Sequence, residues 1–106
     1  MTENHPIIEK IISASPDTYV IFFVRGCPYC ENSLQLLRDK NLPYKGYDIS
    51  TINGNMQKLL EVLKQNADIV SFDPSHSTKP IIFLNGKFIG GYDQLSQLLN
   101  KPKVSN

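Results

Sequence analysis

The chain has 106 residues, which is enough for one domain with a modest hydrophobic core and too few for two. Its eleven basic and ten acidic residues leave a formal net charge of +1, so no electrostatic argument favours nucleic acid or a membrane surface as a partner. The longest apolar run, residues 19–24, is too short to span a bilayer, and no signal-peptide pattern opens the chain. We expect a monomeric cytoplasmic protein with one domain: an N-terminal helix in 1–16, a core at about 17–100 and a tail at 101–106.

Hydrophobic periodicity predicts four helices and four strands. Apolar residues spaced three or four apart mark the helices, and short apolar runs mark the strands. In chain order we predict a helix within 6–15, a strand at 19–24, a helix at 27–40, a strand at 44–49, a loop at 50–55, a helix around 56–63, an irregular stretch at 67–77, strands at 81–84 and 87–89, and a final helix.

The last two strands should form a hairpin. The intervening pair Asn85-Gly86 is typical of a two-residue type I′ turn, which makes these strands antiparallel. Gly90-Gly91 should end the hairpin, and Asp93 is the predicted N-cap of the final helix. The first strand–helix–strand unit implies a parallel pair. The prediction is an α/β protein of order α-β-α-β-α-β-β-α, with a four-stranded mixed β-sheet flanked by helices.

The only two cysteines, Cys27 and Cys30, lie where the first strand turns into the second helix. This position places the first thiol at a helix N-terminus, where unpaired backbone N–H groups and the helix dipole favour a thiolate. The second thiol lies one turn further along, close enough to form a disulfide. The pattern therefore predicts reversible redox chemistry.

Three other interpretations of this cysteine pair are weaker. A structural disulfide across so short a loop would remove little chain entropy. A zinc site needs about four ligands, and only His5 and His76 could complete one, without the spacing typical of a zinc finger. An inert buried pair is the third alternative. His76 itself is interpreted as a solvated loop histidine.

Three separated motifs resemble the glutaredoxins, the glutathione-dependent branch of the thioredoxin fold. They are Cys27-Pro28-Tyr29-Cys30, Thr78-Lys79-Pro80 before a strand, and Gly90-Gly91-Tyr92-Asp93 after a hairpin. The resemblance covers about residues 19–99. It implies a thioredoxin-like fold, glutathione as the reducing co-substrate, and neither a metal nor another bound cofactor.

The resemblance also implies roles for individual residues. Cys27 would be the nucleophile and Cys30 the resolving thiol, and the Lys79–Pro80 peptide bond would be cis. Arg25 would stabilise the thiolate or bind the glycyl carboxylate of glutathione. The full implied glutathione site is Arg25, Tyr29, Gln57, Thr78, Lys79, Pro80, Gly91, Tyr92, Asp93 and Gln94.

The chain departs from the family pattern at three of these places. Arg25 lies two residues before the first cysteine, where the family usually has its basic residue three before. Lys79 replaces the usual valine, which adds a positive charge beside the thiol and could alter affinity or partner choice. Asp93 comes one residue early, and Gln94 occupies the usual aspartate position. The resemblance therefore leaves open which of these two caps the helix or contacts the ammonium group of glutathione.

The function that the resemblance implies is the reduction of protein disulfides and glutathionylated proteins, with ribonucleotide reductase as a family-typical partner. Two rival classes stay open. One is a carrier in which Cys27 of two chains and two glutathiones hold a [2Fe–2S] cluster, although the proline after the first cysteine argues against it. The other is a non-catalytic peptide-binding module of the thioredoxin fold.

Overall fold

The computed structural model describes residues 4–100, so the predicted tail lies outside the described residues. The described part forms four strands and five α-helices, with a single 3₁₀ turn. In chain order these are α1 (Pro6–Ile12), β1 (Tyr19–Phe23), α2 (Pro28–Asp39), β2 (Tyr44–Asp48), the 3₁₀ turn (Ile49–Thr51), α3 (Asn55–Gln65), α4 (Ala67–Val70), β3 (Ile81–Leu84), β4 (Lys87–Gly90) and α5 (Tyr92–Leu99). No helix within residues 4–100 is both long and apolar enough to cross a membrane.

The four strands form one mixed sheet in the order β2-β1-β3-β4. β1 pairs with β2 in parallel and with β3 antiparallel, so the apolar first strand is central. β3 and β4 form the antiparallel hairpin. The predicted thioredoxin-like fold class is therefore confirmed.

The β3–β4 hairpin has the predicted turn and a shift in register beyond it. Asn85 and Gly86 both have positive φ angles, 53° and 78°, as a type I′ turn requires. The register then shifts, because Phe88 lies opposite Phe83 while Gly90 lies opposite Ile82. The extra residue is a β-bulge in β4, directly before the chain enters α5.

Both faces of the sheet are covered by helices, because side chains alternate along β1. Val20 and Phe22 belong to a buried cluster that includes residues of α1, α3 and α4. Tyr19 and Ile21 belong to the opposite cluster, which includes Leu34 and Leu37 of α2 and Leu95 of α5. The result is a three-layer sandwich in which α2 and α5 lie on the same face of the sheet.

Two local predictions were wrong. Residues 67–77 are not irregular throughout, because Ala67–Val70 forms the short helix α4, whose Val70 is fully buried in the core. Asp93 is not the N-cap of the last helix. The N-cap is Gly91, and Asp93 lies in the first turn, because the Gln94 side chain bonds back to the backbone of Gly91. Smaller differences of one to three residues occur at the ends of α1, α2, α3, β1, β2 and β4.

Candidate active site

Cys27 lies at the N-cap of α2, directly after the turn that leaves β1. Gly26 makes this turn possible with a φ angle of +81°, a conformation that favours glycine. Pro28 occupies the first helical position, where its missing N–H is not needed. The Cys27 Sγ accepts a hydrogen bond of 3.3 Å from the backbone N–H of Cys30. This half-buried sulfur atom therefore lies where helix N–H groups stabilise a negative charge.

Cys30 lies one turn further into α2, with none of its surface exposed. Burial raises the pKa of its thiol to about 12, assisted by a hydrogen bond with the Cys27 side chain and by the charge of Cys27. The Val24 N–H, which donates to the Cys30 Sγ at 3.5 Å, and the charge of Lys79 act in the opposite direction. Both cysteines are free in this structure. Burial keeps the Cys30 thiol protonated at neutral pH.

Two adjoining cavities share lining residues and together form a groove, and Cys27 lines one of them. The first, which we call the α5 cavity, has a volume of about 360 Å³, and the second, the thiol cavity, of about 300 Å³. The two share three lining residues, Tyr29, Thr78 and Lys79. The α5 cavity is also lined by His76, Gly91, Tyr92, Asp93 and Gln94, and the thiol cavity by Cys27, Met56 and Ser77.

The start of α5 forms one wall of the groove. The Gly91 N–H donates a 2.9 Å hydrogen bond to the Gln94 Oε1, so Gln94 caps the helix. A Cβ atom on Gly91 would lie 3.3 Å from the carbonyl oxygen of Pro80, so glycine allows these two segments to approach closely. The Lys79–Pro80 peptide bond is cis, as the resemblance implies.

Aromatic side chains border the α5 cavity. The rings of Tyr29 and Tyr92 lie 6.1 Å apart between centroids, and Tyr29 is 59% exposed. His76 packs against the edge of Phe88 at 5.0 Å, and its Nε2 is buried with no hydrogen-bond partner within residues 4–100. The interpretation of His76 as a solvated histidine is therefore wrong. The loop sequence around it carries no periodicity that could have placed this ring in the wall.

Three residues of the implied glutathione site line neither cavity: Arg25, Gln57 and Pro80, of which Pro80 is buried. Arg25 is 87% exposed, and its Nε lies 3.6 Å from the Asp48 Oδ2. Hydrogen bonds from Ser50, with a smaller contribution from Arg25, hold the pKa of the Asp48 carboxyl below its usual value. Gln57 is exposed on α3.

Met56 takes a place in the groove that the sequence interpretation missed. It lines the thiol cavity and packs against the core cluster that contains Leu59 and Leu63. Met56 is spaced three and seven residues before these leucines, so the helical period already indicates that it, and not Gln57, lies on the inner face.

Within residues 4–100, no three side chains of the types His, Cys, Asp or Glu lie close enough together to hold a metal ion. The groove offers a nucleophilic sulfur, a protected second thiol and the start of a helix. Its lining also includes the cation Lys79, which has no salt-bridge partner among residues 4–100. These features suit thiol–disulfide exchange with a peptide-like substrate.

Comparison with known proteins agrees with this geometry. The glutaredoxin family model matches residues 19–89. The chain belongs to the glutaredoxin family. It is 54% identical over 95 residues to a probable glutaredoxin of Acanthamoeba polyphaga mimivirus, with 90% of each chain covered. It is also 31% identical to the mitochondrial glutaredoxin-2 of Pongo abelii, covering 96% of this chain and 58% of that protein.

Solved glutaredoxin structures share the fold. A dithiolic glutaredoxin of Trypanosoma brucei brucei superimposes with a TM-score of 0.71 and 26% identity, covering 94% of this chain and 92% of that one. A buckwheat glutaredoxin–glutathione complex gives a TM-score of 0.71 at 21% identity, covering 92% of this chain and 79% of that one. The family and the fold together support thiol–disulfide oxidoreductase activity for this glutaredoxin.

Proposed function

We propose that this glutaredoxin is a glutathione-dependent oxidoreductase that reduces protein disulfides and glutathione mixed disulfides as a monomer. One observation carries the proposal. The Cys27 sulfur at the start of α2 faces a cavity that continues into a second cavity at the start of α5. A nucleophile and an anion-binding helix terminus therefore lie along the same groove.

Glutathione matches the chemistry of this groove. Its γ-glutamyl end carries a carboxylate and an ammonium group, and its thiol lies in the middle of the molecule. The first backbone N–H groups of α5 have no partner within the helix and favour a carboxylate. Asp93 lines the same cavity and is suited to the ammonium group. The buckwheat protein of the same fold has been solved as a glutathione complex, which supports the same ligand here.

On a protein disulfide, the Cys27 thiolate attacks one sulfur and the other sulfur leaves as a thiolate. Cys30 then attacks the Cys27 Sγ, releases the second substrate sulfur and forms the Cys27–Cys30 disulfide. Two of the causes that raise the pKa of Cys30, its hydrogen bond with Cys27 and the charge of Cys27, are lost once Cys27 is in a mixed disulfide. The resolving thiol is therefore easier to deprotonate at the step that needs it. Two glutathione molecules then reduce the Cys27–Cys30 disulfide and leave as glutathione disulfide.

On a glutathione mixed disulfide, Cys27 alone is sufficient. Its thiolate takes the glutathionyl group and the substrate thiolate leaves. A second glutathione then attacks the glutathionyl sulfur, which regenerates Cys27 and gives glutathione disulfide. Cys30 takes no part in this route.

A glutathione-coupled assay tests the proposal with two substrates, a small glutathione mixed disulfide and a protein disulfide. We expect Cys27→Ser to reduce both rates to the uncatalysed background. Cys30→Ser should retain turnover of the mixed disulfide and lose turnover of the protein disulfide, because the resolving thiol is missing. Turnover of either substrate by Cys27→Ser would contradict the assignment of the nucleophile.

A further inference from the structure

We propose that Lys79, rather than Arg25, binds the carboxylate at the glycyl end of glutathione, and that this single side chain sets the selectivity at that end of the groove. The inference rests on the proposed function, because it takes glutathione as the ligand. It differs from the family pattern, in which a basic residue before the first cysteine would bind the glycyl carboxylate.

The positions of the two cations carry the argument. Lys79 lines both cavities, and it is the one charged residue among those that line the thiol cavity. Arg25 lines neither cavity, and its guanidinium lies beside the Asp48 carboxylate instead. The charge of Lys79 also acts on the Cys30 sulfur, since it lowers the pKa of that thiol.

The direction of the bound tripeptide follows from its chemistry. The thiol of glutathione must reach the Cys27 sulfur, and the γ-glutamyl end fits the start of α5. The remaining glycyl end then lies over the thiol cavity, where Lys79 is one of the three residues shared with the α5 cavity. In this cavity Met56 presents a thioether, which cannot donate a hydrogen bond to a carboxylate. Lys79 and two hydroxyl side chains, Ser77 and Thr78, are the side-chain donors suited to the carboxylate there besides the Tyr29 hydroxyl.

From this arrangement we expect a modest preference for glutathione with a free glycyl carboxylate over glutathione in which that carboxylate is blocked. Exposed charge pairs contribute little in water, and Lys79 is exposed, so a free carboxylate should gain up to about fivefold in kcat/KM over a blocked one. The advantage should shrink in high salt, where the charges are screened.

The test compares glutathione with its glycyl monoethyl ester as the reducing thiol and measures the ratio of the two kcat/KM values. Because both thiols meet the same enzyme variant, a change in the reactivity of Cys27 cancels from this ratio. We expect the wild type to prefer glutathione by about two- to fivefold at low salt. Lys79→Met should bring the ratio close to one, and Lys79→Arg should preserve it.

Arg25→Met is the matched control, since it removes the same charge from a neighbouring segment. It should preserve the wild-type ratio, whatever its effect on the overall rate. A wild-type ratio retained by Lys79→Met, or abolished by Arg25→Met, would overturn the assignment. A wild type that turns over both thiols equally would also overturn it and leave the proposed function intact. Absence of turnover with either thiol would instead overturn the proposed function and this assignment with it.

Discussion

The two sulfur atoms of the Cys-Pro-Tyr-Cys motif lie one helical turn apart in different surroundings. Cys27 lies at the open start of α2, whereas Cys30 is fully buried and its pKa is raised to about 12. Because its pKa is raised, the Cys30 thiol keeps its proton as the pH rises, until the pH approaches about 12. Alkylation with iodoacetamide should therefore modify Cys27 first and leave Cys30 unmodified up to about pH 10, beyond the range where an ordinary thiol of pKa roughly 8.5 reacts.

The Cys27→Ser variant serves as the control for this alkylation experiment. It removes the charge of Cys27, so Cys30 should react at a lower pH than in the wild type. That pH should still exceed the one at which a cysteine in an unfolded peptide is alkylated, because Cys30 remains buried. Peptide mapping by mass spectrometry identifies the modified residue. Modification of Cys30 before Cys27, or at the pH of a free cysteine, would contradict the assigned roles.

The start of α5 shows how one side chain fixes an element that forms the groove. Gln94 accepts the hydrogen bond from the Gly91 N–H, whereas Gln97 is exposed further along the same helix and makes no side-chain hydrogen bond within the described residues. Gln94→Ala should lower the free energy of unfolding by about 0.5–1.5 kcal/mol, the typical net contribution of one hydrogen bond. Urea denaturation measures the change.

Gln97→Ala is the matched control for that cap, since it makes the same truncation on the same helix. Its effect should stay within about 0.5 kcal/mol, as for most surface substitutions. Equal stability losses in the two variants would show that the Gln94 hydrogen bond does not stabilise the start of α5.

The sequence predicts elements better where the signal is local. Asn85-Gly86 specifies its own turn, and the helical period of α3 indicates the inward position of Met56. The N-cap of α5 could not be read in this way, because both Asp93 and Gln94 suit a helix start and only their geometry decides between them. The position of His76 in the groove depends on packing against Phe88, a residue of a different element, which no local pattern reveals.

At the scale of the whole molecule, the groove is assembled from segments far apart in sequence. The three-layer packing places α2 and α5 on one face of the sheet, and the segment before β3 passes between their starting points. Family motifs predict these segments, but the separate positions of Lys79 and Arg25 follow only from the folded chain.

The central claim is that glutathione joined to Cys27 occupies this groove. The most direct test treats ¹⁵N-labelled Cys30→Ser with glutathione disulfide and compares the amide NMR spectra of the free protein and the adduct. We expect one glutathionyl group on Cys27, large chemical-shift changes at Tyr29, Thr78, Lys79 and the start of α5 (residues 91–94), and little change in α1. An adduct that leaves residues 91–94 unperturbed, or no adduct on Cys27, would contradict it.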